Sequence, residues 1–384
     1  MNTDTDTDTA VQRPAAAEPS YINKAHRLLR MASQVVKARR WQTAPLEIGW
    51  DCTYRCNARC AYCSNWTTDY PVMPLEKAKV LVTRTRNLGA VQMSLSGGEP
   101  MTRKDLPEII GLIKAEGMRA AFTTNGTVVS RERYRAVMEA GVDSITFSID
   151  GADAATHEQF REGCSFDSLL RAINMCLELK KEFGYRTRIS TNTVLTNRNV
   201  GDVLRIAERV RSLGIDDFHF QPVWKQHFVP EHLKHSVLDN FNDVFGFTKG
   251  NRALLEEAAR LIELARSSND PAYTALFADF YLGTERAKAI ECWAGRAFLF
   301  IDADGNVRPC GSVPDTFGNI LAPDFESTFE ERFESHRARE LKRQLAKQSC
   351  GGCASVCYME RNILMETTRD PVKLVGVVRK RLLR

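Results

Sequence analysis

The chain has 384 residues, 43% of them hydrophobic, which is enough for a substantial core and too many for wholesale disorder. Its net charge of +5 gives no argument for nucleic acid, and no apolar run reaches the ~18 residues that a membrane span needs. Eleven cysteines with no secretory signal ahead of them point to a reducing cytoplasm, where thiols are free to hold metal.

Residues 1–20 are polar and Pro/Ala-rich and predict a disordered leader. Residues 21–44 predict a basic amphipathic helix, with Ala25, Leu28, Leu29, Ala32, Val35 and Val36 on one face. Six Lys/Arg and no acid lie between Tyr21 and Trp41. Residues 45–224 then alternate strand and helix. The strands are "LEIGWD", "VQMSLSG", "RAAFTTNG", "DSITFSIDG", "RTRISTNTVL" and "DDFHFQPV". Helix-period stretches separate them, the first running from Pro74 to Gly89. Six β–α alternations predict an α/β fold with a parallel sheet and helices outside. Six units are too few for a closed eight-stranded barrel, so a partial (β/α)6 barrel is expected.

Residues 225–290 predict a helical connection without recognisable chemistry. Residues 291–360 predict a small α+β module, opened by the hairpin-like "FLFIDADGNVRPC" with Asp-Gly at its turn. Residues 361–384 predict a basic C-terminal helix, with five Lys/Arg and no acid in 372–384. Basic ends on a net acidic body suit peripheral contact with an anionic membrane surface, although helices packed on the barrel with solvated basic faces are the plainer reading.

The chemistry starts at "CNARCAYC", residues 56–63, on the loop after the first strand. Active sites of parallel α/β folds gather on that face. A tetrahedral zinc or a cubic iron–sulfur cluster takes four ligands, and here only Cys56, Cys60 and Cys63 are offered. Three thiolates on a cube leave one iron open to bind a small molecule. A structural zinc site, or simple core cysteines, is the alternative.

With "SGGEP" (96–100) at the end of the second strand, this loop resembles the radical S-adenosylmethionine (radical SAM) enzymes over roughly residues 45–360. The resemblance implies that the cofactor's methionine amine and carboxylate fill the open iron of a [4Fe-4S] cluster. Tyr62 would lie by the adenine. Gly97 and Gly98 would let the backbone approach the methionyl amine, and Glu99 would pair with it. Asn125 in "TTNG" falls at the next cofactor-side turn. Ser148 in "SIDG" would reach the ribose, and Arg161 in "HEQFR" the ribose or carboxylate. Asn192 and Gln221, at the fifth and sixth strand ends, would face cofactor or substrate. A solvated charge for Arg161, and structural capping for Asn192 and Gln221, are the competing readings.

The spacing Cys292-x12-Gly-x4-Cys310, followed by Cys350, Cys353 and Cys357 as Cys-x2-Cys-x3-Cys, resembles the SPASM and Twitch auxiliary-cluster extensions. A full SPASM pattern has seven cysteines and two clusters. Five cysteines imply one auxiliary [4Fe-4S] cluster, held by four of the five or with a corner open to substrate. A zinc knuckle at 350–357 is the alternative. Cys52, Cys164 and Cys176 are expected to be buried small apolar residues.

The resemblance implies reductive cleavage of S-adenosylmethionine to a 5′-deoxyadenosyl radical, fed by a one-electron reductant such as a flavodoxin or ferredoxin. The radical would take hydrogen from a peptide or small-metabolite substrate. An electron lost to the auxiliary cluster would make the reaction a two-electron oxidation, the work of an oxidoreductase. Rival readings are a redox-neutral epimerase or mutase, and a zinc-stabilised binding protein. No catalytic base is assigned: the position after Cys310 is Gly311.

Overall fold

In the sheet-forming segments a buried apolar residue alternates with a half-buried, mostly polar one, and this period of two makes one face of the sheet core and the other polar. The computed structural model describes residues 21–63, 66–67, 69–223, 244–247, 249–350 and 353–369. The expected leader, residues 224–243 and the basic segment 372–384 lie outside the described residues.

The strands are β1 (Glu47–Thr53), β2 (Arg59–Cys60), β3 (Gln92–Gly97), β4 (Arg119–Thr124), β5 (Ser144–Ser148), β6 (Arg161–Glu162), β7 (Arg188–Leu195), β8 (Asp217–Pro222), β9 (Phe298–Ile301) and β10 (Val307–Arg308). The six expected strands pair in parallel in the order β1-β3-β4-β5-β7-β8. Between them run α2 (Leu75–Asn87), α3 (Leu106–Ala115), α4 (Arg131–Glu139), α5 (Ala154–Glu158), α6 (Phe166–Phe183) and α7 (Val203–Ser212), while α1 (Tyr21–Arg39) precedes the sheet. Ile48, Met93, Ala120, Ile145 and Ile189 on one sheet face meet Leu81, Ile109, Val137, Ile173 and Ile206 of the helices in a single core. On the opposite face polar side chains bridge neighbouring strands. Ser94 donates to Glu47 at 2.6 Å, Ser96 to Asp51 at 2.9 Å, and Thr146 and Ser190 lie 3.0 Å apart.

Two features depart from the sequence reading. The C-terminal hairpin does not stand apart. β9 pairs in parallel with β1 and β10 returns antiparallel to β9, so the sheet has eight strands, ordered β10-β9-β1-β3-β4-β5-β7-β8. The edge of β1 would otherwise present unpaired backbone groups, and the buried "FLFI" segment covers it. The apolar stripe of α1 also turns only partly toward the body: Val35 packs on the cluster around Trp293, but other members of the stripe point outward. Leu29 is 69% exposed and Val36 50%. Beside Val35 the helix docks through Gln34 and Ala38, both buried. The Gln34 amide donates to the Leu88 carbonyl at 2.9 Å and the Pro45 carbonyl at 3.2 Å, which satisfies two loop carbonyls at the starts of the strands.

The helix Val356–Thr367 spans the expected division at residue 360, so Cys357 sits on its first turn. Among the described residues no helix is long and apolar enough to cross a membrane.

Candidate active site

β1 runs into the cysteine loop, which two short strands hold in place. β2 pairs antiparallel with β6, setting Arg59 opposite Glu162 and Cys60 opposite Arg161. The Cys56 N–H donates to Thr67 O at 2.9 Å, and the Cys63 N–H to Cys60 O at 3.0 Å. The Cys56 thiol lies within electrostatic reach of both Cys60 and Cys63. Donors aim at two of the sulfurs: the Ala58 N–H at Cys56 Sγ (3.4 Å), and Arg161 Nη1 at Cys60 Sγ (3.8 Å). Burial pushes the Cys56 thiol up to about 12. A hydrogen bond with Cys164, then the Arg161 guanidinium, hold Cys60 below the ordinary thiol range. Three thiols on one loop with N–H donors on two of their sulfurs fit a thiolate-held iron–sulfur cluster, whose potential such bonds tune.

The Gly-Gly-Glu turn is fastened to this loop by backbone. The Gly98 N–H donates to Thr53 O at 2.7 Å and the Glu99 N–H to Arg55 O at 2.8 Å. A Cβ at Gly97 would lie 2.2 Å from Thr53 O, and one at Gly98 2.2 Å from Arg55 O, so no larger residue fits. Gly97 also has φ +112°, which L side chains rarely adopt. The Glu99 carboxylate is buried. Oε1 accepts from the Met101 N–H (2.9 Å) and Thr124 Oγ1 (2.8 Å), and Oε2 from the Asn125 N–H (2.6 Å). Burial raises its pKa against these bonds. Glu99 thus ties the end of β3 to the end of β4, and Oε2 keeps a lone pair for a further donor. The Asn125 amide reaches Asn57 Oδ1 at 2.9 Å and Cys56 Sγ at 4.0 Å, so it joins the same network.

A residue that the sequence reading passed over organises the other side. Asp150, in the same "SIDG" as Ser148, is fully buried. Its Oδ2 accepts from Arg161 Nε at 2.5 Å and from the Tyr62 hydroxyl, and its Oδ1 from the Val194 N–H at 2.8 Å. Arg161 is therefore not a solvated helix-end charge: it is buried between Asp150 and Cys60, 5.6 Å from the Tyr62 ring centroid. Charge on a motif's aspartate was the available signal. Asn57 and Cys164 carried no linear signal.

Ser148, the last residue of β5, is the register partner of Asn192, which lies inside β7 rather than at its end. Asn192 Oδ1 is buried without a hydrogen-bond partner among the described residues. Such an orphan acceptor fits a ligand that brings a donor. Gln221 lies on β8 opposite Val194, half-buried, and among the described residues no side-chain hydrogen bond ties it to the cysteine-loop network.

The second thiol set sits at the other end of β1. Cys310 and Cys292 pack with Phe298, Ala44 and Leu46, next to where β1 begins. Every pair among Cys292, Cys310, Cys350 and Cys353 interacts electrostatically. Burial raises Cys292 to about 11 and Cys310 to about 12. Cys357 instead has Arg361, Glu47 and Glu360 as its charged neighbours. Among the described residues no three His, Cys, Asp or Glu side chains close on one metal-ion position. A tetrahedral zinc needs its sulfurs about 2.3 Å from a single point. Four thiols match the ligand number of a four-iron cube and of a tetrahedral zinc alike.

The comparisons with known proteins agree with these two thiol sets. Residues 50–210 match the model of the radical SAM superfamily, and residues 292–354 that of an iron–sulfur cluster-binding domain, SPASM. The AdoMet-dependent heme synthase of Methanosarcina barkeri is 28% identical over 331 residues, covering 82% of this chain and 93% of that protein. Mycofactocin maturase MftC of Mycolicibacterium smegmatis is 26% identical over 329 residues, covering 83% and 76%. In fold the chain resembles Streptococcus suis SuiB bound to S-adenosylmethionine, with a TM-score of 0.59 at 14% identity over 83% of this chain and 73% of that one. It likewise resembles anSMEcpe with bound AdoMet, with a TM-score of 0.57 at 18% identity over 88% and 100%. The cofactors are accordingly a [4Fe-4S] cluster, S-adenosylmethionine and auxiliary iron–sulfur chemistry. The chain belongs to the radical SAM superfamily and carries a C-terminal SPASM iron–sulfur domain.

Proposed function

We propose that this enzyme removes a hydrogen atom from a peptide or small-metabolite substrate held on the polar face of its sheet, and completes a two-electron oxidation with an auxiliary cluster. The observation that carries this reading is the position of the two thiol sets. They flank the seven-residue β1, roughly 20 Å of strand at about 3.3 Å per residue. The polar sheet face between them gives a substrate room to meet both.

In this reading Cys56, Cys60 and Cys63 hold the first cluster, and Cys292, Cys310, Cys350 and Cys353 the second. When bound, the first cluster and S-adenosylmethionine supply the 5′-deoxyadenosyl radical. The protein's residues supply geometry. Gly97 and Gly98 keep the β3 end flush against the cysteine loop, and Glu99 Oε2 accepts from the cofactor's ammonium. Tyr62 and Arg161, pinned by Asp150, wall the cysteine loop on the β5 side. Asn192 Oδ1 accepts from a ribose hydroxyl or a substrate donor, with Ser148 beside it, and Gln221 contacts substrate further along the face.

The relatives' names frame the substrate. One group makes heme, another matures mycofactocin, and SuiB binds a precursor peptide, SuiA. Both a small metabolite and a peptide therefore stay within the proposal, together with a cytoplasmic location and a flavodoxin- or ferredoxin-type donor. The exposed Leu29 and Val36, with Lys37 and Arg39 on the same helix and Arg40 just after it, further support peripheral contact with an anionic membrane. This surface lies at the strand starts, so the cysteine loop would face away from the lipid. Vesicles of phosphatidylserine should pellet wild type and release Leu29→Glu/Val36→Glu; equal pelleting of both at low salt removes the contact.

The central reading is tested by anaerobic reconstitution with iron and sulfide, then dithionite and S-adenosylmethionine. Wild type is expected to release 5′-deoxyadenosine and Cys60→Ala none. Absence of product from wild type loaded with iron at both sites sinks the proposal.

A further inference from the structure

We propose that the hairpin turn of the SPASM domain latches the S-adenosylmethionine site: Asp304 holds Tyr70, Tyr70 holds Arg55, and Arg55 holds the Gly-Gly-Glu turn. Tyr70 and Asp304 are positioning residues, which act on the cofactor through others. The inference rests on the functional reading above. It makes the first site depend on a residue that lies 234 positions beyond Tyr70.

The turn between β9 and β10 is fastened from inside. Asp302 Oδ1 accepts from the Asp304 N–H at 3.1 Å and the Asn306 N–H at 2.8 Å, and Asn319 Nδ2 donates to Asp304 O at 2.8 Å. These bonds use the Asp304 backbone and leave its side chain to reach outward, where Oδ1 accepts from the Tyr70 hydroxyl. The Tyr70 carbonyl accepts from Arg55 Nε at 2.5 Å. The Arg55 carbonyl in turn accepts from the Glu99 N–H at 2.8 Å. Both ends of the cysteine loop meet at this place, since the Thr67 N–H donates to Tyr54 O at 3.0 Å and the Cys56 N–H to Thr67 O at 2.9 Å.

Packing backs the hydrogen bonds. Tyr54 is buried and forms, with Ala303 of the turn and Tyr70, a cluster separate from the main core. The rings of Tyr54 and Tyr70 meet edge to face, their centroids 5.0 Å apart at 75°. One residue of the SPASM hairpin and two beside the cysteine loop thus share apolar contact that neither part has alone. The receiving end leaves no slack. A Cβ at Gly98 would lie 2.2 Å from Arg55 O and 2.7 Å from Tyr54 O, so the glycine turn rests directly on this backbone. A shift of Arg55 or Tyr54 is therefore passed to the turn that takes the cofactor's ammonium. Such coupling is a free energy shared between two sites, and a cycle of substitutions measures it.

The test uses anaerobically reconstituted holoenzymes: wild type, Tyr70→Phe, Asp304→Ala, the double variant, Asp304→Asn and Tyr70→Ala. Iron is counted first. S-adenosylmethionine is then titrated into the dithionite-reduced protein, and its dissociation constant is read from the EPR signal that it changes. All variants are expected to keep wild-type iron. Tyr70→Phe and Asp304→Ala should each weaken binding about threefold, and the double variant no more than either. Asp304→Asn, which keeps an acceptor, should bind like wild type. Tyr70→Ala, which also takes the ring from Tyr54, should weaken binding about tenfold. Exchange of the Glu99 amide should quicken in the same order. Wild-type affinity in Tyr70→Ala overturns the latch, as do additive losses in the double variant. Iron loss in Tyr70→Phe and Asp304→Ala overturns it too, because the contact then serves cluster assembly and not the cofactor. A fully loaded wild type whose signal ignores S-adenosylmethionine overturns the functional reading and this one with it.

Discussion

Asp150→Ala is expected to cost about 3–5 kcal/mol of stability, because it leaves a buried guanidinium without its carboxylate. Asp150 accepts from Arg161, from the Tyr62 hydroxyl and from the Val194 N–H, and all of its acceptor capacity is turned inward. Removing it strands Arg161, which is 7% exposed and whose other partner is a thiol intended for iron. The cost should therefore come from the partner left behind more than from the bond removed. A second variant separates those terms. Asp150→Ala/Arg161→Met replaces both charges with groups that need no partner, and it should be more stable than Asp150→Ala alone. Urea midpoints of the four proteins of this cycle, each reconstituted anaerobically, give the coupling energy. Additive losses, with the double variant worse than either single one, would show that the pair is not the organising contact. Tyr62 and Arg161 lose a common anchor in Asp150→Ala, so 5′-deoxyadenosine release should fall even in preparations that keep their iron.

The residues that carry this prediction show where sequence reading works and where it stops. Cys56, Cys60 and Cys63, and the glycines and Glu99 of the next strand end, lie in short contiguous motifs. Their chemistry demands fixed local spacing, so it is visible along the chain. The alternation of β1, β3, β4, β5, β7 and β8 with helices is visible for the same reason, since periods of two and 3.6 are local. Asp150 was quoted inside "SIDG", but its importance comes from Arg161, eleven residues on, and from Tyr62, 88 residues back. The apolar stripe of α1 was only partly informative for a related reason: Val35 packs on the body, but Gln34, with two carbonyls to satisfy, turns Leu29 and Val36 outward. The pairing of β9 with β1 brings together residues some 250 positions apart, and no local pattern encodes that neighbour.

The five C-terminal cysteines give the second large effect. Cys310→Ala is expected to remove about four irons per chain, the content of one cubane, while Cys357→Ala removes none. The spacing Cys-x2-Cys-x3-Cys treats Cys353 and Cys357 alike, but the fold separates them. Cys353 interacts with Cys292, Cys310 and Cys350, whereas Cys357, on the first turn of the helix Val356–Thr367, faces Glu47, Glu360 and Arg361. The ion pair of Arg361 with Glu47 fixes that helix to the start of β1, and the Cys357 thiol is turned toward this pair. Iron and sulfide counts on anaerobically reconstituted wild type, Cys310→Ala, Cys353→Ala and Cys357→Ala decide the matter, with Cys60→Ala reporting the first cluster independently. Equal iron loss in Cys357→Ala and Cys310→Ala would put the fifth cysteine among the ligands and break the quartet. If the counts follow the quartet, Cys357 is left as a thiol beside a half-buried ion pair at the start of β1, available to substrate rather than to iron.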